Sequence, residues 1–110
     1  MLQSISDIQT DLVPQAIINR PIASLVEGRA QLVEHADDLD YYEGASFVLD
    51  GDFPFAVRRY RGYPANTSTI YLDPNISDIG RITAIIRRII GEFHLPEDCI
   101  SWQRRDDADL

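Results

Sequence analysis

Hydrophobic positions recur along this chain with two different periods, and the change of period divides it. From Pro21 to Tyr42, the residues Ile22, Leu25, Val26, Leu32, Val33, Ala36 and Leu39 fall at steps of three and four. That is the stripe of an amphipathic helix, with Pro21 acceptable in its first turn. Gly28 lies inside the stripe and costs about 1 kcal/mol relative to alanine, so the helix is expected to break or pack closely there. Ile5, Ile8 and Leu12 predict a further short helix ending near Pro14. Residues 1–20 thus read as an N-terminal arm or short helix.

From Ser46 to Leu72 the period shortens to two. Three strands are predicted, Ala45–Asp50, Phe55–Arg61 and Thr67–Leu72, separated by the turn signals Asp50-Gly51-Asp52 and Gly62-Tyr63-Pro64-Ala65-Asn66. In the second strand Phe55, Val57, Arg59 and Arg61 share one face, and Ala56, Arg58 and Tyr60 the other. In the third, Ser68, Ile70 and Leu72 oppose Thr67, Thr69 and Tyr71. Asp73, Asn75 and Ser77 are N-cap candidates for the next element. There Ile79, Ile82, Ile85, Ile86, Ile89, Ile90 and Phe93 make one wide apolar face that ends at Leu95-Pro96. Cys99–Gln103 alternates as a last short strand, and residues 104–110 form a charged, loose tail.

The order predicts an α+β fold: a mostly antiparallel sheet of about four strands, an Ile-rich helix (about 76–94) on one face, and an N-terminal helical region. Residues 21–103 are expected to be a single domain, which suits a chain of 110 residues.

Charge changes this picture more than composition does. The net charge is −8, and it resides in residues 1–54; residues 55–110 balance eight arginines against eight acids. Seven acids and no base lie between Glu34 and Asp52. The two regions either face each other within the fold or form a dipolar surface that steers a charged partner or orders a head-to-tail or twofold assembly. No apolar run approaches the ~20 residues of a membrane helix. Nor does the N-terminus have the basic start and apolar core of a secretory signal. With a single cysteine, Cys99, neither an intramolecular disulfide nor a multi-cysteine metal site can form. The expectation is a cytoplasmic protein with no membrane association.

Candidate chemistry is sparse. Arg58, Arg59, Tyr60 and Arg61, with Tyr63 after them and Tyr71 nearby, could pair with acids, meet a partner protein, or grip and stack nucleic acid. Net negative charge opposes a polyanion, so nucleic acid is not an expected partner. His35 with Asp38 is an i, i+3 pair, but two ligands do not make a metal site. Glu97 and Asp98 would raise, not lower, the pKa of Cys99, which reads as an inert buried thiol. No phosphate loop, dinucleotide fingerprint or nucleophile elbow is present. No cofactor, metal or catalytic residue is therefore assigned.

The function expected is a small acidic, non-catalytic interaction or regulatory module, in character like immunity proteins, antitoxins or secretion chaperones. It would self-associate as a homodimer, and its contact set would be Arg58, Arg59, Tyr60, Arg61 and Tyr63. The alternative is an anionic-ligand-binding domain or minor enzyme. Its pocket would lie between sheet and helix, lined by aromatics such as Phe47, Phe55 and Trp102.

Overall fold

A computed structural model describes residues 2–6, 11–36 and 41–104. Its elements are β1 (Leu2–Ile5), β2 (Val13–Ile18), α1 (Ile22–Val26), β3 (Val33–Ala36), β4 (Tyr41–Leu49), β5 (Phe53–Tyr60), β6 (Ser68–Leu72), α2 (Ile79–Glu92) and β7 (Ile100–Gln103). Among the described residues, seven strands join in one antiparallel sheet. The order is β1-β4-β5-β6-β2-β7, and β3 pairs with β4 beyond the stretch that β1 occupies.

The strands predicted by alternation are present; β4 and β5 are longer than expected, and β6 and β7 are each one residue shorter. Asp50 and Gly51 both take positive φ, 53° and 79°, and the Asp52 amide donates to the Leu49 carbonyl at 3.1 Å. This is the tight turn that closes the β4–β5 hairpin. Pro54 lies inside β5, although alternation predicts a start only at Phe55. It is tolerated because β6 pairs with β5 only from Phe55 to Arg58, so at Pro54 no neighbour on that side needs its missing N–H.

The N-terminal helical region is overturned, and so is the count of four strands. Gly28 adopts a φ of +75°, which a right-handed helix cannot accommodate, and α1 stops after Val26. The chain then enters β3, whose Val33, Glu34, His35 and Ala36 face Gly44, Glu43, Tyr42 and Tyr41 of β4. Likewise, Val13–Ile18 is a strand between β6 and β7, and Leu2–Ile5 pairs with the last residues of β4. Segments of four to six residues gain little from forming an isolated helix, and a ladder partner satisfies their backbone instead. Ile8, residues 37–40 and the tail from Arg105 onward lie outside the described residues.

The Ile-rich helix is where the isoleucine spacing predicts it, with a different cap. Asp78 is the N-cap, its carboxylate accepting from the Arg81 amide at 2.9 Å; Asp73 instead accepts from the Asn75 amide at 2.8 Å in the preceding turn. At the other end His94 takes φ +59°. Its amide donates to Gly91 O at 3.0 Å, and that of Leu95 to Ile90 O at 3.0 Å. This is a left-handed helix stop, with histidine where glycine is usual.

One core holds the molecule together. Ile82, Ile85, Ile86, Ile89, Ile90 and Phe93 of the α2 region, with Ile22, Leu25 and Val26 of α1, cover Ala45, Phe47, Leu49, Phe55, Val57, Ile70 and Leu72. Phe93 meets Phe47 and Phe55 edge-on, at centroid distances of 5.8 and 6.5 Å. Both helices therefore lie on the same face of the sheet. Arg88 ties α2 to the hairpin turn through paired bonds to Asp50, 3.1 and 3.2 Å, so an arginine of the C-terminal half meets an acid of the N-terminal half. No helix among the described residues is long and apolar enough to cross a membrane.

Candidate functional site

Side chains alternate across a strand, so whatever does not face the helices faces the other side. There β3, β4, β5 and β6 contribute His35, Tyr42, Tyr60 and Tyr71 in that order. Successive ring centroids are 5.3, 5.0 and 6.1 Å apart. The register explains the row: Tyr42 stands opposite His35 on one side and Tyr60 on the other. Arg58 lies among these rings, its guanidinium carbon 4.6 Å from the Tyr42 centroid and 5.2 Å from that of Tyr71. Only 8% of this arginine is exposed.

Gly44, opposite Arg58, makes the arrangement possible. A Cβ there would lie 2.7 Å from the Val57 carbonyl oxygen and 3.0 Å from Arg58 Cγ. The stem of Arg58 thus runs over the one β4 position that has no side chain. Beneath these groups Ser46, Ala56 and Thr69 are buried, although no helix lies on this face among the described residues.

Beyond Tyr71 the stripe opens into a groove of about 270 Å³, lined by Pro14, Ile17, Tyr63, Thr69, Tyr71 and Trp102. Trp102 reaches it because β7 pairs Trp102 with Ile17. Tyr63 reaches it from the β5–β6 turn, where its amide bonds to the Tyr60 carbonyl at 3.1 Å. Tyr63 is 49% and Trp102 44% exposed, a large apolar exposure for two neighbouring aromatics.

A second cleft lies between α2 and the β7 edge. It measures about 360 Å³ and is lined by Thr83 and Arg87 of α2 and by Ser101, Gln103 and Arg104, among others. Gln103 Nε2 donates to Thr83 Oγ1 at 2.8 Å and anchors strand to helix. Arg87 is paired with Glu97 at 3.5 Å across an exposed surface.

The five residues singled out by sequence do not form one patch. Arg58 and Tyr60 belong to the aromatic face, and Tyr63 to its groove. Arg59 alternates to the helix-bearing side. There it pairs with Glu43 at 3.6 Å and donates from Nη2 to the Tyr63 carbonyl at 3.0 Å. Arg61 sits over Tyr41, 5.6 Å from its centroid. The aromatic trio of the alternative reading is also divided by the sheet. Phe47 and Phe55 stack in the core at 5.5 Å, whereas Trp102 lines the groove on the opposite face. Sequence reasoning misses Tyr42, because the spacing around it mimics the end of a helix. Cys99 is buried in the core cluster, and that burial pushes its thiol pKa up.

Compared with known proteins, this chain matches no family model, no curated protein and no solved structure.

Proposed function

We propose that this chain is a small acidic, non-catalytic interaction module that holds a partner protein against the open face of its sheet. The observation that carries the reading is the aromatic stripe ending in the Tyr63–Trp102 groove. Tyrosine, tryptophan and arginine dominate binding hot spots because they bury large area with few rotors. Here the stripe is already packed around Arg58, so little side-chain entropy remains to be lost on binding. The groove is smaller than the ~300–1,000 Å³ usual for drug-sized ligands. It suits one or two apolar side chains of a partner, and the net charge of −8 favours a partner of positive charge. We place this activity in the cytoplasm.

A photo-crosslinking amino acid at position 63 or 102 tests the reading, with position 84 on the outer surface of α2 as the control. The expectation is one partner captured from positions 63 and 102 and not from 84. The purified partner should then bind Trp102→Ala at least tenfold more weakly than wild type, with an unchanged unfolding temperature. Equal capture at all three positions, or equal affinity of the variant, refutes it.

The cleft beside β7 favours a second reading, an anionic-ligand site. Arg87, Arg104, Thr83, Ser101 and Gln103 line it, and the two arginines are the groups suited to a phosphate or carboxylate. A rise in unfolding temperature with inorganic phosphate or citrate, abolished by Arg87→Ala, would support this reading over the first.

A further inference from the structure

We infer that two copies of this chain associate edge to edge, through antiparallel pairing of their β7 strands into one continuous sheet. This inference concerns the sheet edge and does not depend on the use of the open face. Four observations converge on it.

Strand β7 is the last in the sheet and, among the described residues, pairs only with β2. Its outer peptide groups are a template for another strand, which proteins commonly guard with charge or proline. Ile100, Ser101, Trp102 and Gln103 carry neither. Trp102 stands on this edge strand with 44% of its surface exposed.

The charges nearest β7 have an order that favours one orientation. Glu97 and Asp98 precede the strand, and Arg104 and Arg105 follow it directly, ahead of Asp106, Asp107 and Asp109. Antiparallel pairing brings the acidic end of each copy beside the arginine end of the other, twice, about a twofold axis. Parallel pairing would set like against like.

The opposite edge has the reverse character. There Glu34 of β3 stands directly across from Glu43 of β4, so self-pairing would gather like charges. That acidic edge also lies far from β7. From β4 to β7 there are four strand steps of about 4.8 Å, roughly 19 Å in all. This exceeds two Debye lengths at physiological salt, so the acids of that opposite edge do not oppose pairing at β7. The twofold would leave both Tyr63–Trp102 grooves on one side of the joined sheet, flanking the axis.

The test is a charge swap read by sedimentation. Wild type should be a dimer at micromolar concentration. Because Trp102 is the one tryptophan, its emission should move to the red as dilution dissociates the dimer. Arg104→Glu and Asp98→Arg should each weaken the dimer about tenfold, since each places two like-charge contacts across the twofold. Unfolding temperatures near wild type would show that both variants fold. The double variant should recover the wild-type dissociation constant within about threefold, and an equimolar mixture of the two single variants should form a heterodimer. A monomeric wild type overturns the inference. So does a dimer indifferent to both substitutions, which would place the contact elsewhere, such as at β1. Folded single variants whose dimer neither the double variant nor the mixture restores would overturn it too.

Discussion

The two faces of the sheet are built from the same strands yet follow different rules. On the helix side, Phe47, Leu49, Phe55, Val57, Ile70 and Leu72 are almost wholly buried under isoleucines; stability there comes from apolar area removed from water. On the open side the strands carry tyrosines, a threonine, a serine and an arginine, with no helix above them among the described residues. Such a face is costly as a core and suitable as a contact surface. It is rigid because the rings and Arg58 support each other, and it is still in contact with water along Tyr63 and Trp102. One face holds the fold; the other is the one we propose for binding.

Truncation tests that contrast most strongly. Phe47→Ala, which opens a hole between the sheet and Phe93, should cost about 3–5 kcal/mol in urea unfolding. Tyr60→Ala on the open face, where water can refill the space, should cost about 1 kcal/mol, close to the average for point changes. Equal losses would mean that the open face is a second core.

Glycine substitutions sharpen the comparison. Gly44→Ala puts a methyl against the Val57 carbonyl and the Arg58 stem, and overpacking of this kind should cost about 1–3 kcal/mol. It should also loosen the Tyr42–Arg58–Tyr71 stack, visible as a change in the near-ultraviolet circular dichroism of the tyrosines. Gly91→Ala, in α2 with no neighbour in reach of its Cβ, should instead stabilise the protein by about 0.5–1 kcal/mol, because a helix favours alanine over glycine.

The smallest effect concerns Cys99 on the helix side. Burial raises its thiol pKa, so the folded state keeps its proton to higher pH than the unfolded chain. Stability from this group is therefore full below the unfolded thiol value of about 8.5 and falls as pH rises past it. Cys99→Ala should flatten that alkaline decline, and alkylation of native Cys99 should lag far behind that of unfolded protein. Rapid alkylation near neutral pH would show that the helix layer opens readily.

Local chemistry makes part of this molecule legible. The α2 helix announces itself through isoleucines at one face, the hairpin through Asp50-Gly51, and the two faces of β5 and β6 through alternation, because each signal acts between residues close in sequence. The chain between Pro21 and Tyr42 misleads for the same reason. Ile22, Leu25 and Val26 begin a real helix, but spacing alone does not tell that Val33–Ala36 finds a partner in Tyr41–Gly44. The candidate site is half visible in sequence. Tyr60, Tyr63 and Arg58 stand out, whereas Tyr42 hides at the end of a helical spacing and Trp102 gives no sign of which face its strand presents.

By itself, the sequence determined an α+β chain with one amphipathic helix and at least one tight hairpin, acidic in its first half and charge-balanced in its second. Only the tertiary structure decided that seven strands share one sheet among the described residues and that Arg59, on the face opposite Arg58, meets Glu43. It also decided that aromatic residues from β3 to β6 align in a row. The physical reason is that strand pairing joins residues far apart in sequence, through backbone groups every residue has, so its order and register depend on the whole chain.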